Sequence, residues 1–467
     1  MLQMIRFRII HIGIILTLLP FIALGGNLDE PVEEVKYFTL QDCIDYAISN
    51  NQSVKIAELE KKVSQAKVGE YLSQGLPQVD ANVSFNKNFI IRKTFIPEKI
   101  FNPSAPDDAF MEVAFGTPYD GIIGLNVSQM IFKGSFFVGM SASKTFVELS
   151  TREHIQTQID VVEAVSKAYY TVLVNEIGIN LLEANQSRLD SLLNDTRIMY
   201  ENGFAEKIDV NRTQVEFNNI NTQLSNARKL LIISKQLLKY QMGMPVGEDL
   251  EITERLEDIE FQMEELFDLE ASYQRRIDYS VLQTREELAY LNMKNNKVQY
   301  IPNIDLVLGW GMNAGVADFN NLWKFGDPMF YPNYQLAGIS MFIPIFDGLY
   351  KSKLIQQNKL QIQQLGYQKK MLENSINLEV DDKRTSVQSN LDQLENQMEN
   401  MKLAEEAFST ARIKYQEGVG SNLEVIEADN AYVAAQTNYY NALYDVLLSK
   451  IELEKALGVL DVNNNEE

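Results

Sequence analysis

The chain has 467 residues, of which 45 % are hydrophobic and 23 % are charged, a composition typical of folded rather than disordered proteins. Its formal net charge of -22 argues against nucleic-acid binding, because phosphate backbones are bound by surfaces rich in lysine and arginine. The same charge argues against a polybasic membrane anchor.

Residues 1–25 have the pattern of a cleaved secretory signal peptide. Arg6 and Arg8 precede an apolar run, and that run ends close to Gly25 and Gly26. An uncleaved anchor helix is the alternative interpretation. Beyond this segment there is no run of about 20 apolar residues, so no further membrane-spanning helix is predicted. The mature protein is therefore expected outside the cytoplasm.

An internal repeat organises the rest of the chain. The phrase RIMYENGF at 197–204 returns as RIKYQEGV at 412–419, and the phrase IFKGS at 131–135 returns as IFDGL at 345–349. Self-similarity at a constant spacing indicates a duplicated structural unit. The predicted organisation is a first copy at 40–245, an acidic linker at 246–264, a second copy at 265–460 and a polar tail at 461–467.

Long stretches without proline mark where helices can run, because an internal proline costs a helix about 3 kcal/mol. Apolar residues at heptad spacing, such as Val387, Leu391 and Leu394, predict coiled-coil packing. We expect the two shorter helices of each copy to stack end to end beside its longest helix. The predicted elements in chain order are a helix at 40–76, strands at 79–91 and 119–132, helices at 135–202 and 206–243, a helix at 265–300, strands at 303–314 and 334–346, and helices at 349–416 and 421–457.

The predicted strands alternate between apolar and polar residues. Val79, Ala81 and Val83 alternate with Asp80 and Asn82, so one face of the first strand is apolar and the other is polar. A half-buried hairpin of a soluble domain also fits this pattern. Strands of about ten residues with aromatic residues near their ends favour an outer-membrane barrel. Four strands cannot close a barrel in lipid, so several chains must pool their strands.

The order of these phrases resembles the TolC-like outer-membrane efflux protein family. The resemblance rests on the doubled unit, on the phrases LPQVDANVSF and IPNIDLVLGW that lead from helix to strand, and on the turn phrases GFAEKIDV and GVGSNLEV. It implies a mostly α fold with a small β part, built from two tandem repeats of long coiled-coil helices plus strand pairs. Three chains would form a trimeric α-helical barrel joined to a transmembrane β-barrel of twelve strands, four from each chain.

The same resemblance implies a passive exit duct in the outer membrane of a Gram-negative bacterium, with its helical part in the periplasm. Its partners would be two further copies of the chain, a periplasmic adaptor protein, an inner-membrane transporter and outer-membrane lipid. The system would be a tripartite efflux or type I secretion system. The resemblance implies no catalytic residue, no cofactor, no metal and no nucleic-acid partner.

The turn phrases at the ends of the longest helices contain the candidate functional residues. Gly203 and Gly418 are predicted to break those helices, so that each chain has two hairpin tips. In the family such tips form the periplasmic mouth. Two residues after the second of these glycines, where a family member has an arginine, this chain has Gly420.

Four side chains near these turns have implied roles in the mouth and also structural alternatives. By motif position, Asp209 and Tyr415 correspond to links that hold the mouth closed, and Glu424 and Glu427 to its acidic constriction. Tyr415 also continues the heptad seam, and Glu424 completes a capping box with Ser421. Asp209 lies in the first turn of its helix, where it favours the helix dipole. Glu427 has no such structural duty.

Two other classes of function compete with a channel. An enzyme has little support, because His154 is the only histidine after the signal and no P-loop, nucleophile elbow, zinc cluster or dinucleotide motif is visible. The other alternative is a secreted coiled-coil structural or interaction protein without a transport role. Such a protein needs no strand pairs.

Overall fold

The computed structural model describes residues 36–256, 264–327 and 329–460. The predicted signal peptide and the predicted polar tail lie outside these residues. Within them the chain is mostly α-helical with a small β part, and both copies run from shorter helices through a strand region to one very long helix and a final helix. In the described part of the chain, no helix is both long enough and apolar enough to cross a membrane.

The first copy begins with two helices, α1 (Leu40–Asn50) and α2 (Gln52–Ser73). The prediction of one continuous helix at 40–76 is therefore wrong. The chain breaks at Asn51, whose extended backbone and side chain cap α2. The Asn51 Nδ2 atom also donates a hydrogen bond to the carbonyl oxygen of Gln241, 2.7 Å away, which ties the break to the end of another helix.

The two other helices of this copy are α3 (Gly134–Glu201) and α4 (Lys207–Met242). Their bounds lie within one residue of the predicted 135–202 and 206–243. Both α2 and α4 pack along α3, with α1 beside them, which is the end-to-end arrangement expected from the helix lengths. Because α3 is 68 residues long, it spans about 100 Å at 1.5 Å per residue.

The second copy begins with the short helix α5 (Glu264–Asp268) and continues with α6 (Ile277–Val298). The prediction of one helix at 265–300 is wrong here too. Arg276 interrupts the helix with an extended backbone. Its Nη1 atom donates a hydrogen bond to the carbonyl oxygen of Ala456 at 3.0 Å and thereby satisfies the end of another helix.

The last two helices are α7 (Tyr350–Gln416) and α8 (Asn422–Leu457), which pack against each other along α8. These bounds differ by one residue at their starts from the predicted 349–416 and 421–457. The heptad seam between them is buried near mid-length, as the apolar spacing indicated. One part of the core lies there, and another lies where α1, α3, α4 and α8 meet.

The main sheet has four antiparallel strands in the order β2 (Gln78–Lys87), β5 (Tyr119–Phe132), β7 (Asn303–Val316) and β8 (Asn333–Phe342). Each copy therefore contributes one strand pair, and β2 and β8 form the two edges.

Two strands are shorter than the predicted 79–91 and 334–346. β2 ends where its partner begins, at the pair Lys87 and Tyr119, and Pro118 precedes that partner. A proline has no backbone N–H to donate to the ladder, so the pairing stops there. β8 ends in the same way, because its partner β7 starts directly after Pro302.

The register of the sheet confirms the predicted alternation. Val79 lies opposite Val127, Val127 lies opposite Leu308, and Leu308 lies opposite Ala337. Residues directly opposite each other in an antiparallel ladder share a face, so these four side chains form an apolar row across all four strands.

A second hairpin lies between the first two predicted strands, where the sequence indicated no regular element. It consists of β3 (Lys93–Pro97) and β4 (Phe110–Ala114), paired in antiparallel fashion. Elsewhere, β1 (Lys36–Phe38) pairs in parallel with β6 (Leu250–Ile252), so part of the linker is tied to the start of the first copy. Residues 257–263 of that linker lie outside the described part of the chain.

Candidate functional site

The two hairpin tips are built around glycines with left-handed backbones. Gly203 follows α3 with φ of 82°, and Gly418 follows α7 with φ of 74°. Each glycine N–H donates to the carbonyl oxygen three residues earlier, Tyr200 or Tyr415. Glycine adopts this backbone without the Cβ penalty that other residues meet, which lets the chain reverse and start α4 or α8.

Gly420 serves a different purpose, because its backbone is not left-handed. A Cβ atom at this position would lie 3.0 Å from both the Lys414 Cβ and the Tyr415 backbone nitrogen. The glycine therefore allows the turn to pack closely against the end of α7. An arginine here would require that end of the helix to shift.

The start of α4 places Asp209 in a capping box with Glu206. The Asp209 carboxylate accepts a hydrogen bond from the Glu206 backbone N–H at 3.3 Å, and the Glu206 side chain accepts one from the third helical N–H in return. The Asp209 carboxylate also lies 3.3 Å from Arg212 Nη1. Within the single chain, Asp209 is thus a helix-capping residue.

The start of α8 is capped by Ser421, whose hydroxyl accepts a hydrogen bond from the backbone N–H of Glu424 at 3.2 Å. The Glu424 backbone, rather than its carboxylate, makes this contact. The side chains of Glu424 and Glu427 are exposed, and both line an open groove between α7 and α8 together with Glu406 and Lys414. The Glu424 and Glu427 carboxylates are therefore accessible to solvent, or to a molecule that lies in this groove.

Tyr415 belongs to a buried polar network that joins four helices near the tip. Its hydroxyl lies 3.1 Å from the Thr196 hydroxyl of α3. Asn422 of α8 donates from Nδ2 to the Thr196 hydroxyl at 3.0 Å and to the Thr213 hydroxyl of α4 at 3.2 Å. All four side chains are buried. The network ties the first hairpin to the second. Tyr415 contacts Thr196 in this network, whereas Asp209 contacts Glu206 at the start of α4.

A buried ion pair lies about two helical turns further from the tip. Arg188 Nε of α3 is 2.8 Å from Asp429 Oδ1 of α8, and the Asp429 side chain is only 3 % exposed. Burial raises the pKa of the Asp429 carboxyl above its ordinary value, although the Arg188 charge lowers it. The guanidinium rests against the rings of Phe408 and Tyr432. No sequence pattern indicated this ion pair or Asn422.

The comparison with known families decides what this architecture is. The sequence pattern described as outer membrane efflux protein matches residues 43–243 and 270–459, one range within each predicted copy of the repeat. The chain belongs to this family. The resemblance noted from its motifs is thereby confirmed, and the chain is an outer-membrane efflux protein.

Two relatives span most of the chain. The outer membrane protein TolC of Vibrio cholerae is 20 % identical over 347 residues, which cover 73 % of this chain and 78 % of that protein. The probable efflux pump outer membrane protein TtgC of Pseudomonas putida is 22 % identical over 429 residues, which cover 90 % and 82 %.

Solved structures show the same fold. The open state of the Neisseria gonorrhoeae MtrE outer membrane channel matches with a TM-score of 0.71 at 17 % identity and covers 91 % of each chain. The Campylobacter jejuni CmeC outer membrane channel matches with a TM-score of 0.70 at 17 % identity, covering 92 % of this chain and 87 % of that one. At these identities the likeness shows the fold alone.

Proposed function

We propose that the chain is a passive exit channel for efflux, acting as a homotrimer with its long helices in the periplasm. A periplasmic adaptor protein and an inner-membrane transporter would complete the tripartite system, and a type I secretion system is the variant with the same parts. The family membership of both repeats is the observation that carries this proposal.

The sheet supports assembly from several chains. Both of its edge strands, β2 and β8, have one side without a strand partner in the described chain. All ten residues of β8 are exposed. In lipid an unpaired edge is strongly disfavoured, because its N–H and C=O groups have no water to bind. Pairing β8 of one chain with β2 of the next, three times over, closes a barrel.

The helical tips support a gated mouth. In a trimer, Glu424 and Glu427 would contribute two carboxylates from each of three chains to the ring of helix ends. A confined ring of like charges raises the local cation concentration and repels anions. The network of Thr196, Tyr415 and Asn422 would hold the two hairpins of each chain together in the closed mouth.

We further propose that the chain has no catalytic step and needs no cofactor. A duct lowers the barrier to passage by shape and charge alone, and the energy for transport would come from the inner-membrane partner. The substrate class depends on that partner.

Disulfide scanning of the two edge strands tests the trimer. Asn82→Cys on β2 would be combined in turn with Leu336→Cys, Gly338→Cys and Ser340→Cys on β8. Cys43, the single native cysteine of the chain, would be replaced by serine in every variant. We expect one of these pairs to form a disulfide between chains on oxidation, and gel electrophoresis should then show linked species of up to three chains. Ser128→Cys on the inner strand β5 is the matched control and should give no linked chains.

A ladder that ends at two chains, or a stable folded monomer in mild detergent, would contradict the architecture. The rival account, a coiled-coil structural protein, predicts that the protein leaves cells without detergent and that no edge register cross-links.

A further inference from the structure

The segment 317–332, which we call the second loop, joins β7 to β8 at the end of the sheet away from the helices. It folds back over the sheet. Its Leu322 and Tyr331 side chains are buried together with Ala314 and Val316 of β7. The Tyr331 hydroxyl also donates a hydrogen bond to the Leu322 carbonyl oxygen, which ties the two halves of the loop together. The second loop is therefore packed on the end of β7.

The second loop covers the apolar face of the sheet. Ala314 lies opposite Gly121, and Gly121 lies opposite Phe85 of β2. An even number of residues separates Phe85 from Val79 along β2, so both side chains point to the face that carries the apolar row. In an outer-membrane barrel with a polar interior, this face is the outer one and contacts lipid. The loop thus lies on the side of the sheet that would face the membrane.

Five aromatic rings connect the second loop to this face of the sheet. The ring centre of Trp323 lies 5.5 Å from that of Phe85 and 5.9 Å from that of Phe319. The rings remain open to the outside, because Trp323 is 54 % exposed and Phe325 is 51 % exposed. An exposed apolar cluster marks a surface that contacts a partner or lipid. We call this cluster the aromatic patch, and its members are Phe85, Tyr119, Phe319, Trp323 and Phe325.

Two lysines flank the aromatic patch. Lys87 Nζ lies 5.8 Å from the ring centre of Tyr119, and Lys324 Nζ lies 5.0 Å from that of Phe330. Neither ammonium group forms an ion pair with a carboxylate in the part of the chain that the structure describes. Lysine side chains near a membrane surface extend their charged ends towards the headgroups. Both ammonium groups are therefore available to lipid phosphates.

We propose that the aromatic patch lies in the lipid headgroup layer at the outer surface of the membrane, where the second loop anchors the β-barrel. Three features favour lipid as the occupant of this surface. The patch continues the apolar face of the sheet, tryptophan and tyrosine are enriched at the membrane–water interface, and the two lysines complement the charge of lipid phosphates. This inference rests on the β-barrel of the proposed function.

The position of Trp310 agrees with this depth. Trp310 lies near the middle of β7, opposite Leu125 and on the same apolar face. At about 3.4 Å per residue, Ala314 is about 13 Å further along the strand. A strand tilt of about 40° reduces this to about 10 Å along the membrane normal, and the apolar band of such barrels is about 25 Å tall. With Trp310 at the centre of the band, the aromatic patch lies close to its outer edge.

Fluorescence quenching by brominated lipids tests the anchor, because Trp310 and Trp323 are the two tryptophans of the chain. Trp310→Phe leaves Trp323 as the reporter of the patch, and Trp323→Phe leaves Trp310 as the matched control. Each variant would be reconstituted into phosphatidylcholine bilayers brominated either near the headgroup or near the end of the acyl chain. We expect Trp323 to lose at least about twice as much fluorescence with the shallow quencher as with the deep one, and Trp310 to show the reverse.

The two reporters separate failure of the anchor from failure of the barrel. If lipid quenched Trp310 but not Trp323, the anchor would be overturned and the barrel would stand. Iodide in the water would then show what covers the patch: quenching of Trp323 would place the second loop in solvent, and no quenching would place it against another chain. If neither lipid quenched Trp310, the proposed barrel would be contradicted, and the anchor with it.

Discussion

The hydroxyl groups of Thr196 and Tyr415 lie 3.1 Å apart, on the two longest helices of the chain and near their ends. They are not equivalent positions of the repeat. The residue of the first copy that corresponds to Tyr415 is Tyr200, which is 43 % exposed. The duplicated turns have therefore diverged, and one tyrosine has become a buried link between hairpins while the other remains on the surface.

Removing the Tyr415 hydroxyl tests this link. In Tyr415→Phe the Thr196 hydroxyl loses one buried partner and keeps its hydrogen bonds to the Leu192 carbonyl oxygen and to Asn422, so we expect the free energy of unfolding to fall by about 0.5–1.5 kcal/mol. If the link also holds the mouth closed, the variant should show larger or longer channel openings in a planar bilayer. Tyr200→Phe removes the equivalent but exposed hydroxyl and should change neither quantity. Identical behaviour of the two variants would show that the link has no role.

The turn glycines make a second test. Gly418→Ala puts a Cβ atom on a left-handed backbone, so we expect it to destabilise the protein by about 1–2 kcal/mol, as measured by chemical denaturation. Gly178 lies inside α3 with no atom within 4 Å of an added Cβ. Gly178→Ala should therefore be neutral or stabilise by up to about 1 kcal/mol. If Gly178→Ala destabilised the protein as much as Gly418→Ala, the left-handed backbone of Gly418 would not be the reason for the loss of stability.

A network of ion pairs at the middle of the long helices predicts loss of stability in acid. Lys167 Nζ lies 2.8 Å from Glu163 and 2.7 Å from Glu452. Burial raises the pKa of both carboxyl groups, but hydrogen bonds from lysines outweigh it and leave each pKa below its ordinary value of 4.5. A depressed pKa contributes stability above pH 4.5 that disappears as the pH falls through the folded-state value.

We therefore expect the melting temperature of the wild-type protein to fall steeply below about pH 4.5. In Glu452→Gln the fall of the melting temperature in acid should be smaller than in the wild-type protein. Glu201→Gln, at an exposed helix end, should keep the wild-type dependence of melting temperature on pH. Thermal melts between about pH 3 and pH 7 would measure the difference. Parallel profiles for the wild-type protein and Glu452→Gln would rule out this contribution.

The loops at 90–118 and 315–333 are predicted to lie outside the cell. The stretch between the strands of a copy is longer in the first copy than in the second, as expected of a loop that tolerates insertion, and Ser104 in the first loop is exposed. An epitope tag inserted at Ser104 should be labelled by antibody on intact cells. A tag at Gly203, in a hairpin tip, should be labelled only after the outer membrane is permeabilised. The opposite pattern would invert the orientation.

The sequence predicts the long elements well because their signals are local. Proline-free stretches and heptad spacing place α3 and α7 within one residue of their observed bounds, and alternation places the apolar row of the sheet. The breaks at Asn51 and Arg276 depend instead on contacts with Gln241 and Ala456, which are far away along the chain. The sequence around both breaks contains no proline, so it predicts a continuous helix through each of them.

The polar contacts near the tip could not be predicted from the sequence for a related reason. Asn422 and its partners come from separate helices, and its counterpart in the first copy is Lys207, so the repeat itself indicates no such network. Arg188 and Asp429 look like two of the many charges on exposed helix faces. Only the packing of α3 against α8 shows that they meet in a buried place.

The acidic mouth is the central functional claim, and single-channel recording tests it most directly. Glu427→Ala and Glu424→Ala would be compared with the wild-type trimer in a planar bilayer, using a salt gradient to measure ion preference and a trivalent cation as blocker. Glu406→Ala, which removes a carboxylate of α7 from the same groove, is the matched control. We expect the wild-type channel to prefer cations and to be blocked, and Glu427→Ala to lose most of both properties. Wild-type cation preference and wild-type block in both Glu427→Ala and Glu424→Ala would contradict the account and leave these residues with structural roles only.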